Sequence, residues 1–299
     1  MRGALVVGLG SVVVDQQMFV ERFPIENEKE HALQTRQQIG GPVPTSLVLL
    51  ARFGTDCYLI APWGDDLHGQ EIEADLNKEG VDFSSSCAGG DRRTGTAHVW
   101  ISNGSGDRTI VAHQCDWNDL ALSSEDLARL RGCQFLHLDG TGGELAVEAA
   151  RVVRESGGRV FIDAGSPKAA TAKLIGLADV ISFPERFAKQ FFETDDVVAA
   201  GEKLLELGAK AAICTQGERG SLVFETHQTV RVSAIEVAAI DSTGAGDVFC
   251  GGVLAGLLEG LELEQASKLG AAAAAHKCRH IGNRDGLPRL ADVREILES

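Results

Sequence analysis

Asp241-Ser242-Thr243-Gly244-Ala245-Gly246-Asp247 is the stretch whose residue types and spacing could do chemistry, and Val248-Phe249-Cys250-Gly251-Gly252-Val253-Leu254 follows without a break. Small residues and two glycines precede an apolar run, so the segment reads as a loop opening into a helix. A helix start has unpaired N–H groups and a positive dipole end, so Gly244, Ala245 and Gly246 can hold an anion on their backbone amides. Asp247 falls in the first turn and faces the same cavity. An acid beside an anion cradle costs electrostatic energy unless a cation or a reaction needs it there. The plain alternative is a Gly-rich turn with an ordinary first-turn acid.

The rest of the chain bounds what can position such a site. It has 299 residues, enough for one large α/β domain with a substantial core. Apolar content is 44% and charged content 24%, ordinary for a globular protein. A net charge of −15 argues against nucleic acid or an anionic membrane surface as a partner, since both need a basic footprint. The seven cysteines are scattered, with no CxxC pair and no metal-ligand spacing, and are expected as reduced thiols in a cytoplasmic protein. The N-terminal MRGALVVGLGSVVVDQQ reads as a buried first strand, not a signal peptide, and no later run approaches a membrane span.

Ala4–Val7 is a β-branched run followed by Gly8-Leu9-Gly10. A dinucleotide fingerprint needs a third glycine at position 13, where Val13 stands, which disfavours an oxidoreductase. Residues 16–39 are polar with little helical periodicity. Together with 94–102 and 108–113 they can supply a small sheet outside the core, with Gly104-Ser105-Gly106-Asp107 as a hairpin signal. Gly40-Gly41 and the run from Pro42 to Gly54 read as a turn, a helix opened by proline and a glycine stop. Cys57–Ala61 is a short strand, and helix 67–79 is expected to carry Leu67, Ile72 and Leu76 on one face. Strands then fall at 134–139, 159–163, 178–183 and 210–215. Helices fall at 143–155, near 168–176, at 184–192, 195–207 and 265–280. That alternation means βαβ units and a mainly parallel sheet with helices on both faces. One domain over 1–299 is expected, with small-sheet strands inserted at about 12–39 and 92–113.

DSTGAGD with its small-residue helix resembles the C-terminal signature of the ribokinase-like (PfkB) family of carbohydrate kinases. The resemblance implies an α/β fold, a three-layer αβα sandwich with a mainly parallel sheet and a small β-strand lid that often forms a dimer contact, hence a homodimer. It also implies transfer of the γ-phosphoryl group of ATP to a hydroxyl, expected to be a primary one, of a sugar or sugar derivative. Asp247 would then be the general base, with the amides of Gly244, Ala245 and Gly246 stabilising the transferring group. Gly10 and Asp15 match the family's first-strand pattern, implying that Asp15 binds sugar hydroxyls; alternatively Asp15 simply ends a strand. Gly40-Gly41 resembles the glycine pair behind the sugar. Thr45 stands where the family has an asparagine, so an amide contact is lost or replaced by a hydroxyl. Trp63-Gly64-Asp65-Asp66-Leu67-His68-Gly69 resembles the family's GDDxxG segment.

On the nucleotide side, Thr215-Gln216-Gly217-Glu218-Arg219-Gly220 resembles the family's TxGxxG segment, pointing to Thr215, Gly217 and Gly220 beside Thr243, Gly244 and Gly246. The C-terminal helix and its loop implicate His276 and Asn283, although a histidine in an Ala-rich helix can equally be packed or solvated. Phe161-Ile162-Asp163 and Ile181-Ser182-Phe183-Pro184-Glu185 depart from the family's DPN and PNE, at Gly165 and Pro184. Glu185 survives as a ligand of Mg²⁺ through water, or equally as a first-turn acid balancing its helix dipole. Gly286 replaces a serine of the family's K⁺ site, so the monovalent cation site is expected to be weakened or absent. Gly-Gly-Pro, Cys214-Thr215-Gln216-Gly217 and Ala275-His276-Lys277-Cys278 resemble the sulfofructose-kinase branch, in which Lys29 would contact an anionic group. The arginine of that clamp falls on Thr141, and Lys29 is otherwise a solvated charge. The acceptor stays open among neutral ketoses, sugar phosphates, sulfo-sugars and sugar acids. A nucleoside kinase and a catalytically weak nucleotide or sugar sensor of the same fold also stay open.

Overall fold

A computed structural model of the chain describes residues 5–84, 87–89, 91–104 and 108–298. The elements run β1 (Leu5–Leu9), β2 (Val13–Val20), β3 (Gln34–Gly40), α1 (Pro42–Arg52), β4 (Asp56–Ile60), α2 (Leu67–Glu79), β5 (Asp82–Phe83), β6 (Thr96–Ser102) and β7 (Arg108–His113). They continue through α3 (Ser124–Gly132), β8 (Phe135–Leu138), α4 (Gly143–Glu155), β9 (Arg159–Asp163), α5 (Thr171–Ile175), β10 (Val180–Pro184), α6 (Glu185–Phe192), α7 (Val197–Glu206) and β11 (Ala211–Thr215). The chain closes with β12 (Ser221–Glu225), β13 (Gln228–Val232), α8 (Ala245–Leu258), α9 (Leu263–Cys278) and α10 (Leu290–Glu298).

Nine strands form one sheet in the order β13-β12-β11-β10-β9-β8-β1-β4-β5. Every pair from β11 to β5 is parallel, and the β11–β12 and β12–β13 pairs are antiparallel. Buried on both faces, the strands read as continuous apolar runs whose successive side chains enter different cores. Val6, Phe135 and Phe161 pack with Leu47, Val253 and Leu269 under α1, α8 and α9. Val7, Leu136 and Ile162 pack with Leu130, Val147 and Leu204 under α3, α4 and α7. A second sheet, β3-β2-β6-β7, stands apart as the lid.

Two local expectations need correction. Gly8 and Leu9 do not follow the first strand but belong to it. A Cβ on Gly8 would stand 2.4 Å from Val43 Cγ1, so the glycine lets α1 lie directly on β1. Leu67 is 68% exposed while Ile72 and Leu76 are buried. Five positions at about 100° per residue turn Leu67 roughly 140° away from Ile72. The hairpin signal at 104–107 falls largely outside the described residues, as does Ala4.

Helices α8 and α9 meet through small residues. A Cβ on Gly252 would approach Gly270 Cα to 2.7 Å, and one on Gly256 would approach Ala266 Cα equally closely. Gly252→Val gains about 1 kcal/mol or less of helix propensity but forces two backbones apart, which costs about 1–3 kcal/mol or more. Urea unfolding should show a lower midpoint with an unchanged m-value. A midpoint at or above wild type would contradict this packing account.

Candidate active site

In a doubly wound sheet the strand ends on one side open to ligands. Taken along the sheet, those ends carry Thr215 on β11, Glu185 after β10, Asp163 on β9, Asp139 after β8 and Gly10-Ser11 after β1. At about 4.8 Å per strand, the line from β1 to β11 spans roughly 19 Å, room for a sugar-sized and a nucleotide-sized ligand end to end.

Gly244 caps α8 at φ 77, a left-handed conformation that a side chain would strain. The loop before it is held by Asp241. Its Oδ1 accepts from the Thr243 N–H and its Oδ2 from the Gly282 N–H, both at 2.8 Å. Fully buried Lys277 donates from Nζ to the Asp241 carbonyl at 2.7 Å and lies 3.3 Å from Oδ2. Ser46 on α1 donates its hydroxyl to the Asp247 carbonyl at 2.7 Å, tying the helix start to the sugar-side helix. The first turn of α8 is therefore fixed from two directions, and within it the Ala245 N–H donates to the Ser242 carbonyl at 3.1 Å.

The acids crowd together. Burial, then the charge of Asp163, pushes the Asp247 carboxyl up to about 8, against the pull of Arg108. Asp163 is pushed up to about 7 by burial and by Asp139. Asp15 rises to about 6 through burial, moderated by a Gln38 hydrogen bond and by the charges of Arg284 and Arg108. Asp139 is fully engaged: the Ser11 N–H and hydroxyl donate to Oδ2 at 2.8 and 2.9 Å, and the Thr141 N–H donates to Oδ1 at 2.9 Å. Thr141, the position where the branch resemblance would put an arginine, thus orients an aspartate.

The sugar-side residues come together. A Cβ on Gly40 would fall 2.4 Å from Asp15 Oδ2, and one on Gly41 would strike the Ser11 carbonyl at 2.2 Å, so both glycines admit close neighbours. Thr45 is buried, and Arg284 Nη1 donates to its hydroxyl at 3.4 Å. The Asn283 N–H donates to Gln38 Oε1 on β3 at 2.8 Å, and its Oδ1 lies 2.8 Å from a Cβ built on Gly244. Asn283 thus joins the lid to the anion cradle. A cavity of about 300 Å³ beside it is lined by Arg36, Gln38, Asp75 and Arg284, among others. Lys29 stands apart, exposed on the connection from β2 to β3.

At the other end of the line, Thr215 donates its hydroxyl to the Phe183 carbonyl at 3.5 Å. Gly217–Arg219 form one 3₁₀ turn. A Cβ on Gly220 would meet the Val232 carbonyl at 2.1 Å. Glu185 accepts from Gln216 Nε2 at 3.0 Å and pairs with Arg219, and these contacts lower its carboxyl pKa. His276 stacks on His280 at 4.8 Å near the end of α9, and burial lowers its pKa. Among the described residues no group of three or more His, Cys, Asp or Glu is arranged as a metal cage.

Sequence reasoning missed Asp139, Gln38, Arg108, Lys277 and Arg284 as parts of the site. Asp139 had one usable signal, an acid directly after a predicted parallel strand. The others depend on long-range contacts that no local pattern announces.

A family model described as pfkB family carbohydrate kinase matches residues 4–290. A sugar kinase of otherwise uncharacterised activity from Archaeoglobus fulgidus is 28% identical over 256 residues, covering 81% of this chain and 99% of its own. A ribokinase from Haemophilus influenzae is 25% identical and covers 100% of this chain and 99% of its own. Among solved structures, Arabidopsis thaliana ribokinase complexed with ribose and ATP superposes with a TM-score of 0.86 at 25% identity over 100% of both chains. No helix among the described residues is long and apolar enough to cross a membrane. With its α/β fold, its lid and the glycine-capped start of α8 all within the matched residues 4–290, the chain belongs to the pfkB family of carbohydrate kinases.

Proposed function

We propose that this kinase transfers the γ-phosphoryl group of ATP to a primary hydroxyl of a sugar or sugar derivative, with Asp247 as general base. The observation that carries the reading is the single turn in which Gly244, Ala245, Gly246 and Asp247 put an anion cradle and a proton acceptor side by side. Asp15, Gly40, Gly41 and Thr45 hold the acceptor against that turn. Asp247 takes the hydroxyl proton as the acceptor oxygen bonds to the γ-phosphorus and the bond to the β-phosphate oxygen breaks, releasing ADP. The Gly244–Gly246 amides face the charge that develops on the transferring oxygens. Thr243, Thr215, Gly217, Gly220, His276 and Asn283 line the nucleotide side, supported by the close backbone approach at Gly220. Mg²⁺ would arrive with the phosphates, largely hydrated, with Glu185 holding one of its waters. A homodimer through the lid fits the same reading, since the outer strand β7 is exposed along its length, with Ile110 and Val111 over half exposed.

No monovalent ion is needed in this reading. Lys277 supplies a tethered ammonium at the Asp241 carbonyl, where the family resemblance implies K⁺. The serine ligand of that ion is also replaced by Gly286.

Asp247→Asn should lower kcat for the best acceptor by about 10² or more with the native fold retained. Near-wild-type kcat in an ADP-release assay would remove Asp247 from its role. Activity should be flat from zero to saturating K⁺, whereas Lys277→Ala should lose activity and recover part of it with added K⁺. Strong saturable activation of the wild type would contradict the tethered-cation reading.

The raised acids also set a pH dependence. Asp15, Asp163 and Asp247 bind protons more tightly folded than unfolded. Their contribution to stability is therefore fully present below the unfolded carboxyl range and is lost as pH climbs through about 6 to 8. The Tm of the ligand-free protein should fall between pH 6 and pH 8.5, and Asp247→Asn should flatten that slope and raise Tm at the alkaline end. An unchanged slope in the variant would show that Asp247 is not strongly desolvated.

A further inference from the structure

At the rim of the site a charged group has donors that nothing in the protein uses. Arg284 is 9% exposed. Its Nε donates to Asp75 Oδ2 on α2 at 2.9 Å, and its Nη1 reaches the Thr45 hydroxyl at a long 3.4 Å. Nη2 is closed off from solvent and has no hydrogen-bond partner among the described residues. A buried, unmatched donor on a guanidinium is costly, and its presence in a folded protein asks for an acceptor. Asp75 takes only the Nε side, so the Nη1–Nη2 edge is the unfilled end of the fork.

That edge belongs to the acceptor pocket. Thr45 is the helix α1 residue one turn beyond Gly41, and its N–H donates to the Gly41 carbonyl at 3.2 Å. The charge of Arg284 also reaches Asp15, whose carboxyl it pulls down. The preceding residue, Asn283, lies against both Gln38 and Gly244. The adjoining cavity leaves room for a substituent. The three acids in its wall, Glu71, Asp75 and Asp285, each have a partner already, in His68, Arg284 and Arg36.

We propose that Arg284 determines acceptor specificity and that the acceptor is a sugar carrying an oxyanion, held end-on by Nη1 and Nη2 beside Thr45. The inference rests on the kinase reading and adds the substrate class to it. Two parallel N–H donors of a guanidinium fit two oxygens of a carboxylate, phosphate monoester or sulfonate, whereas one neutral hydroxyl fills only one of them. The crowd of Asp15, Asp139, Asp163 and Asp247 repels such a group from the catalytic floor. The anion is therefore expected at this rim, and the reacting hydroxyl at the other end of the sugar.

The test follows ADP release by wild type, Arg284→Gln, Arg284→Lys and Asp75→Asn. The acceptors are D-fructose, D-fructose 6-phosphate, 2-keto-3-deoxy-D-gluconate and 6-deoxy-6-sulfo-D-fructose, and calorimetric binding of each to the ATP-free enzyme is the second readout. Wild type should favour one anionic sugar over fructose, and the responding arm identifies carboxylate, phosphate or sulfonate. Arg284→Gln should raise KM for that sugar by about 10- to 100-fold, leave KM for ATP unchanged and erase the preference over fructose. Lysine should restore part of it. Asp75→Asn, which unties the clamp but keeps the guanidinium, should retain the preference. The proposal is overturned if wild type prefers fructose, or if Arg284→Gln and Asp75→Asn lower all acceptors alike. In both cases the kinase reading stands. If no acceptor binds or stimulates ATP turnover, both readings fall.

Discussion

In the proposed reaction Asp247 has to act as a base from the first turn of a helix whose start would hold anions, and that demand gives much of the surrounding structure a reason. A carboxylate beside a phosphate site is repelled by its neighbours and by its ligand. Burial and Asp163 both push it toward the neutral form, while Arg108 pulls the other way. Arg186 and the other cleft cations act on the surrounding acids in the same sense. The phosphates of a nucleotide would repel it further and only a bound metal cation would offset them, so the free enzyme is expected to hold this acid partly protonated. Catalysis by positioning then needs the turn to be rigid. Lys277 and Gly282 fix the loop before the helix, and Ser46 fixes its first turn.

The same demand explains why so many glycines are not interchangeable. Gly8 lets α1 lie on β1, Gly40 admits the Asp15 carboxylate, Gly41 admits the Ser11 carbonyl, and Gly220 brings β13 against the turn after β11. At Gly8 the close neighbours are the Val43 and Leu47 side chains, and at the other three the nearest atom is an oxygen. The chain therefore joins the sheet, α1 and α8 into one frame around the strand ends, and the lid is attached to that frame through Asn283 and Gln38.

Local pattern carried the fold well because parallel βαβ units announce themselves by alternation: helices 67–79 and 143–155 lie where their periodicity places them. The catalytic turn was legible because a left-handed cap, a helix start and an acid occupy consecutive residues. The acceptor pocket was not. Thr45 reads in sequence as a lost amide, and only the fold shows a guanidinium from a loop 239 residues away against its hydroxyl. Lys277 reads as one charge in an Ala-rich helix, yet it is fully buried on Asp241. Leu67 failed for a simpler reason, since five residues is the wrong spacing for one helical face. These contacts join segments distant in sequence, and spacing along the chain does not encode them.

The central claim is that a phosphoryl group moves from ATP to a sugar hydroxyl. A ³¹P NMR time course with ATP, Mg²⁺ and the best acceptor tests it most directly. The account predicts a new phosphomonoester signal growing in step with ADP, without inorganic phosphate, and absent in Asp247→Asn. Release of inorganic phosphate alone, or ATP left intact with a bound acceptor, would contradict it and leave a nucleotide-binding protein that does not transfer.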